Sequence, residues 1–311
     1  MKLHENQAEF RELITLTAQE KHISESAVER DYYIVHALKQ LADSEEADSC
    51  VFKGGTSLSK CYPGSIERFS EDIDLTYYKT EGLSNKQIER RLKAVEKIMT
   101  AGAKTEPITS ERNDRNKSIY FWFGSEDSRI KLEIGSSVRP EPFSRKTLVT
   151  YIQEYLEVHG FEKEVAEYGL VPVELNVLNM ERTFLDKIMA VKRHAICGTL
   201  PGKVRHIYDV ARLFALPENQ AFLQDKEELK RLIILTKKTD WVYLEKRSIP
   251  KEYDPIGIYD FPAWKDRFND DIRSIYEHLH EDLLYTDEKQ DFDAAIQAFE
   301  KISASFAEIG E

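Results

Sequence analysis

Cys50-Val51-Phe52-Lys53-Gly54-Gly55-Thr56-Ser57-Leu58-Ser59-Lys60, followed by Arg68-Phe69-Ser70-Glu71-Asp72-Ile73-Asp74-Leu75, is the part of the chain whose reading decides the fold. Cys50 to Phe52 is a short strand-like run that ends in a glycine pair. The spacing then predicts a short helix from Thr56 to Cys61, a turn at Pro63-Gly64 and a second strand from Asp72 to Tyr78. Glycines let a backbone come close to a ligand. A helix start offers unpaired N–H groups and the positive end of the helix dipole, both of which favour phosphate. The spacing G-x-x-x-x-G-K-[ST] of a Walker A loop is absent. Taken alone, a glycine pair at a strand end is more often just a tight turn.

The second stretch adds chemistry. Along a strand Ile73 and Leu75 fall on one face and Asp72 and Asp74 on the other. Two carboxylates one residue apart can hold a hard cation such as Mg²⁺ or Mn²⁺, which is usually bound by one or two carboxylates together with substrate phosphates. Two such ions clamp the attacking and leaving oxygens in phosphoryl transfer. Most isolated D-x-D pairs are solvated strand faces or turns. Here the apolar neighbours argue for a half-buried strand, where carboxylates are costly unless cations accompany them. A third carboxylate, Glu133, lies on a predicted strand from Arg129 to Ile134 in which Ile130, Leu132 and Ile134 share one face. Glu133 completes a metal site if that strand neighbours the Asp pair; the competing reading is an exposed glutamate paired with Lys131 or Arg129.

Around this centre, Glu5 to Glu20 predicts an amphipathic helix, and Ser26 with Glu29 forms a capping-box pattern for a second. A helix is expected from Ser84 to Met99 and a strand from Ser118 to Phe123. Another strand is expected from Val171 to Leu178, then helices over Glu181 to His194 and Val204 to Leu216. The rest of the chain reads as helical, interrupted by a Pro- and Tyr-rich loop from Ile249 to Pro262. The fold class is α+β, a small mixed sheet flanked by helices, with a helical C-terminal part. The expected division is residues 1–170 and 171–311.

Composition sets limits. The chain has 311 residues, of which 41% are hydrophobic and 32% charged, and its net charge is −12, so it is not a general nucleic-acid coat. A local basic run exists: Arg182, Lys187, Lys192, Arg193, Lys203 and Arg205 could converge on a face for polyphosphate or RNA, or simply form a solvated helix face. The segment with Lys237, Lys238, Trp241, Tyr243, Lys246 and Arg247 could grip RNA, though ordinary helix packing explains it as well. Cys50, Cys61 and Cys197 fit neither a disulfide framework nor a zinc site. With no apolar signal core in Met1 to Phe10 and no bilayer-length run, the expectation is a cytoplasmic protein without a membrane partner.

Three motifs in order carry a family resemblance: Glu29-Arg30-Asp31-Tyr32, Phe52 to Leu58, and Arg68 to Leu75. With Arg182-Thr183-Phe184-Leu185-Asp186-Lys187 and Arg205-His206-Ile207-Tyr208-Asp209-Val210, the chain from Val28 to Leu216 resembles the AbiEii/AbiGii-type nucleotidyltransferase toxins of the DNA polymerase β-like superfamily. That resemblance implies a nucleotidyltransferase-type sheet and transfer of an NMP from an NTP to an acceptor, RNA or tRNA. It also implies toxin action in a toxin–antitoxin or abortive-infection system, with a cognate antitoxin as partner. It implies that Gly54, Gly55, Thr56 and Ser57 contact phosphates, with Lys53, Lys60 and Arg68 in the same nucleotide site, and that Asp72 and Asp74 hold metal. Lys187 would neutralise polyphosphate. Asp209 would act as a base or organise Lys187. The competing readings for these two are a surface lysine paired with an acidic neighbour and a helix-face carboxylate paired with Arg205 or Arg212. His206 stands where the family often has Asp. Antibiotic-type or protein nucleotidylation, or a nucleotide-binding regulator without turnover, are the alternatives.

Overall fold

The alternation of Ile130, Leu132 and Ile134 with Lys131 and Glu133 sorts buried from partly exposed side chains along one strand of a sheet. The computed structural model describes residues 1–244, 253–282, 284–285 and 289–310. Among these, seven strands form one mixed sheet: β1 (Cys50–Lys53), β2 (Ile73–Tyr77), β3 (Lys104–Pro107), β4 (Asn116–Trp122), β5 (Ile130–Gly135), β6 (Phe143–Leu148) and β7 (Val173–Leu178). Their order is β3-β4-β5-β2-β1-β7-β6. The pairs β2–β5 and β1–β7 are parallel and the others antiparallel. β3 and β6 escaped the sequence reading. β3 is an exposed four-residue edge strand, and Phe143-Ser144-Arg145-Lys146-Thr147-Leu148 has no apolar alternation to announce it.

The chain divides into two compact units that interleave in sequence. The first comprises residues 1–61, 69–136 and 143–178, and the second residues 62–68, 137–142 and 179–311. β7 thus belongs with the sheet, and the division at 170/171 expected from the sequence moves to 178/179, with two earlier segments joining the second unit.

In the first unit the sheet packs with helices α1 (Gln7–Lys21), α2 (Glu25–Ala42), α3 (Gly54–Cys61), α4 (Asn85–Met99), α5 (Tyr151–Val158) and α6 (Glu162–Glu167). The start of α2 is capped by Ser24, whose side chain accepts from the Ala27 amide, and not by Ser26. The Glu29 side chain is drawn away to Ser128 instead, so the expected capping box does not form. α4 does carry a complete capping box, between Ser84 and Gln87. Its Ile88, Leu92, Val95 and Met99 are all buried, one stripe of a helix that packs on β4 and β5. α3 lies against β1 and β2, the strands it connects.

The second unit is helical: α7 (Met180–Ile196), α8 (Val204–Phe214), α9 (Pro217–Gln224), α10 (Lys226–Leu244), α11 (Asp270–Glu277), α12 (Leu279–Asp282) and α13 (Phe292–Ala307). Phe261, Trp264, Phe268 and Phe299 form an aromatic core in it. The basic-aromatic segment expected near Trp241 falls partly on Lys246 and Arg247, outside the described residues; Lys237 within it is buried and Trp241 is half exposed. Among the described residues no helix is long and apolar enough to cross a membrane.

Phe121 on β4 is fully buried, whereas Val158 at the end of α5 is 78% exposed. Phe121→Ala is expected to lower the unfolding free energy by about 3–5 kcal/mol. Val158→Ala should change it by no more than about 0.5 kcal/mol. Urea titration followed by circular dichroism checks both.

Candidate active site

The site in the first unit starts from the strand register. Asp74 on β2 stands opposite Lys53 on β1 and opposite Glu133 on β5, and Glu133 in turn stands opposite Ser118 on β4. Paired residues point to the same face of a sheet. Lys53, Asp74, Glu133 and Ser118 therefore form one row across four strands. Asp72 lies one residue before β2, in the segment that leads into it. Ile73 and Leu75 point the other way and are buried, as the alternation required.

The chain leaves β1 straight into α3, with no intervening loop. Gly54 makes this possible. Its φ is +86°, and a Cβ there would sit 2.2 Å from Oδ2 of Asp74. The Asp74 carboxylate thus rests against the backbone at the head of α3, in space that any side chain would fill.

The hydroxyls of this helix turn inward. Thr56 Oγ1 donates to the carbonyl oxygen of Asp72 at 2.5 Å and lies 3.0 Å from Ser70 Oγ. Ser57 Oγ donates to the Gly54 carbonyl at 2.9 Å. Both residues are buried. Their side chains tie the segment carrying Asp72 to α3 and close the first turn of the helix. Lys60 also points away from the helix start: its ammonium is 2.6 Å from Asp31 Oδ1 on α2 and 4.0 Å from the ring centre of Tyr151. With a side chain only 4% exposed, Lys60 is an internal cation paired with Asp31. Gly54 and Gly55 at the head of α3 are both partly exposed.

Glu133 shares the face of Asp74 but engages Lys131, 3.3 Å away, and Lys131 also reaches Glu111 at 2.8 Å. Burial opposes the charged form of Lys131, and the hydrogen bond to Glu111 with the charge of Glu133 outweighs it, so the ammonium titrates above its ordinary value. Among the described residues no group of three His, Cys, Asp or Glu side chains is arranged to hold a metal ion. By their chemistry, Asp72 and Asp74 are the two neighbouring residues here whose hard carboxylate oxygens suit a divalent cation.

The second unit holds a separate cluster. Asp209 on α8 is fully buried and accepts from Arg68 Nε at 2.6 Å, from Arg68 Nη2 at 2.8 Å and from Lys187 Nζ on α7 at 2.6 Å. Burial alone would raise the Asp209 carboxyl, but the charges of Arg68 and Lys187 hold it well below the usual carboxylate range. Arg68, expected at the nucleotide, is joined to Asp209 by two parallel bonds. His206 is held toward the neutral form, first by its buried setting and then by the charge of Lys187. Within the basic run, Arg182 donates to the carbonyls of Arg139 and Glu141, Lys192 to those of Gly257 and Ile258, and Arg193 pairs with Asp240.

Sequence reasoning used Glu29 only as a capping-box partner and assigned no role to Arg30 and Asp31, although their motif was visible. It also could not see that Lys53 and Glu133 flank Asp74, because register depends on non-local pairing.

No curated protein matches the chain significantly. Among solved structures, the nucleotidyltransferase toxin MenT4 from Mycobacterium tuberculosis H37Rv aligns with a TM-score of 0.50 at 18% identity, covering 95% of this chain and 98% of that one. JHP933 from Helicobacter pylori aligns with a TM-score of 0.39 at 19% identity, covering 83% and 95%. The first likeness shows a shared fold; the second is too weak to argue from. The family model described as "Nucleotidyl transferase AbiEii toxin, Type IV TA system" matches residues 36–305. With most of its length inside that span, the chain belongs to the AbiEii family of nucleotidyltransferase toxins of type IV toxin–antitoxin systems.

Proposed function

We propose that this toxin transfers a nucleoside monophosphate from an NTP to an RNA acceptor, tRNA being the expected class, in a reaction that needs a divalent cation at Asp72 and Asp74. The observation that carries it is the Asp74 carboxylate lying against the glycine backbone at the head of α3, with Lys53 beside it in register. Helix-start N–H groups next to a carboxylate pair put phosphate binding and cation binding within one short stretch. A bound Mg²⁺ or Mn²⁺ would supply charge neutralisation on the phosphates. The protein's own groups orient the triphosphate: the Gly54 and Gly55 backbone from one side and Lys53 from the neighbouring strand. Such catalysis is mostly positioning and electrostatics.

Lys187 is kept in the role of neutralising polyphosphate charge. For Asp209 we favour the role of holding Lys187 and Arg68, not that of a base. A carboxylate that accepts three charge-assisted hydrogen bonds and titrates well below its ordinary range is a poor proton acceptor at neutral pH. A small cationic acceptor of antibiotic type is the second reading. It is favoured by the net charge of −12 and by the internal pairing of Arg182, Lys187, Lys192 and Arg193.

Incubation of the full-length protein with α-labelled NTPs, Mg²⁺ and total RNA, aminoglycosides or protein separates these acceptors. Label on RNA supports the proposal, and label only on another class overturns the acceptor. Asp72→Asn and Asp74→Asn should each reduce transfer at least about 10²-fold, as expected for loss of a group that acts on the transition state. Wild-type transfer by the double variant would refute the carboxylate mechanism.

Gly54→Ala places a methyl group on the Asp74 carboxylate and forces a strained φ. Transfer should fall at least about tenfold, with a stability loss of about 1–3 kcal/mol; initial rates and thermal melts read the two effects.

Asp209→Asn leaves Arg68 and Lys187 without their counter-charge. A loss of about 3–5 kcal/mol is expected at neutral pH. Because the folded carboxyl is depressed, its contribution is complete above the ordinary value near 3.9 and fades as pH falls below it. The gap between wild type and Asp209→Asn in urea should therefore narrow below about pH 4.

A further inference from the structure

Glu29, Arg30 and Asp31 are three consecutive charged residues on α2, and each grips a different segment around the candidate site. Glu29 Oε2 accepts from Ser128 Oγ at 2.7 Å, at the turn between β4 and β5. That turn comes so close that a Cβ on Gly124 would meet Glu29 Oε1 at 2.6 Å. Arg30 bridges two places: Nη2 donates to the Asp127 carbonyl at 2.6 Å, and Nη1 lies 2.7 Å from Glu71, the residue immediately before Asp72. Asp31 is 3% exposed and accepts from Lys60 Nζ at 2.6 Å and from the Tyr151 amide at 2.7 Å.

Successive residues on a helix point about 100° apart, so a run of three reaches three separate neighbours. What those neighbours have in common is the site. Lys60 is on α3, whose head carries Gly54 and Gly55. Glu71 leads into Asp72. The turn held by Glu29 and Arg30 opens β5, the strand of Glu133.

α3 has only eight residues, too few to be stable alone. Its position against Asp74 has to be imposed from outside. The Asp31–Lys60 pair is suited to that. It is buried, and hydrogen bonds fix its geometry at both ends, while the Lys60 ammonium is capped by the Tyr151 ring. Buried ion pairs of this kind add little net stability relative to apolar residues, and removing one partner is strongly destabilising. A pair that yields little stability yet ties two helices together is a device for geometry.

We infer that Glu29-Arg30-Asp31 is a positioning clamp for the nucleotidyl-transfer site: Asp31, through Lys60, sets the head of α3 against Asp74, and Arg30 sets the segment bearing Asp72. Its consequence for catalysis rests on the function proposed above, but its geometry does not.

Three variants of the full-length chain test it. Lys60→Met and Asp31→Asn each leave one buried charge unpaired and should lower the melting temperature. The double variant Asp31→Asn/Lys60→Met leaves none and should recover most of that loss. A pair that only stabilises would recover activity along with it. The clamp requires the reverse. In the double variant the amides of residues 55–57 should exchange with deuterium at least about tenfold faster than in wild type, without nucleotide present, while those of β4 and β5 stay unchanged. The kcat for NMP transfer should remain at least about tenfold low, consistent with a displaced reactive geometry. Unchanged exchange at residues 55–57 in the double variant overturns the clamp. Faster exchange with wild-type kcat overturns its role in transfer.

Where the buried variants do not fold, Arg30→Gln decides. Its pair with Glu71 is partly exposed, so folding is retained. Exchange should quicken in residues 70–72 and 125–128 and kcat should fall; wild-type values for both refute the inference. A wild-type protein that transfers nothing to any acceptor fails the proposed function, and the exchange measurements still decide the clamp.

Discussion

The contact between the Asp74 carboxylate and the bare backbone of Gly54 is the constraint around which the first unit is built. It demands a residue without Cβ, a left-handed φ and a helix that begins where the strand stops. An eight-residue helix cannot supply that placement from its own hydrogen bonds. The polar side chains of α3 are accordingly used for anchoring: Thr56 to the Asp72 carbonyl, Ser57 to its own first turn, Lys60 to Asp31. In the fold these side chains act as supports for the short helix.

A second regularity concerns where the positive charge goes. In a chain of net charge −12 the cations that sequence reading offers to a substrate are mostly turned inward. Lys60 faces Asp31, Arg68 and Lys187 share Asp209, and Lys192 meets two main-chain carbonyls. Removing a charge from water is costly, so each such group sits with acceptors at hydrogen-bond distance. Their contribution is fixed geometry more than stability. His206 follows the same logic from the other side: lacking an acidic neighbour strong enough to hold a proton on it, the ring is kept neutral.

Local pattern was enough for much of this. The strand–glycine–helix–strand order, the opposed faces of β2, the apolar stripe of α4 and the helical second half all follow from spacing. What stayed hidden is non-local. β3 is an exposed edge and β6 lacks alternation, so neither had a periodic signal. The unit boundary was missed because β7 pairs back to β1 and β6, and because two short segments cross into the other unit. A cap assigned to Ser26 belongs to Ser24, two residues earlier, since Ser-x-Ser offers two equivalent hydroxyls to the same helix start. For Lys60 and Arg68 the residue type was compatible with a phosphate or a carboxylate partner alike, and only the fold shows that Asp31 and Asp209 are there to receive them.

The same distribution of charge bears on how an acceptor is recognised. Long-range attraction of a polyanion needs a continuous basic surface, and its signature is a steep loss of affinity with salt. Arg182, Lys187, Lys192 and Arg193 make their contacts inside the second unit, so these four do not supply such a surface. Under the function proposed above, an RNA acceptor would be held by contacts near its reacting end and by the triphosphate it attacks, and selectivity would come more from fit at the site than from capture by this run. Enzymes that work this way are sensitive to sub-ångström placement of their reactive groups. In the first unit the buried Asp31–Lys60 pair is the charge placed to hold the backbone of α3.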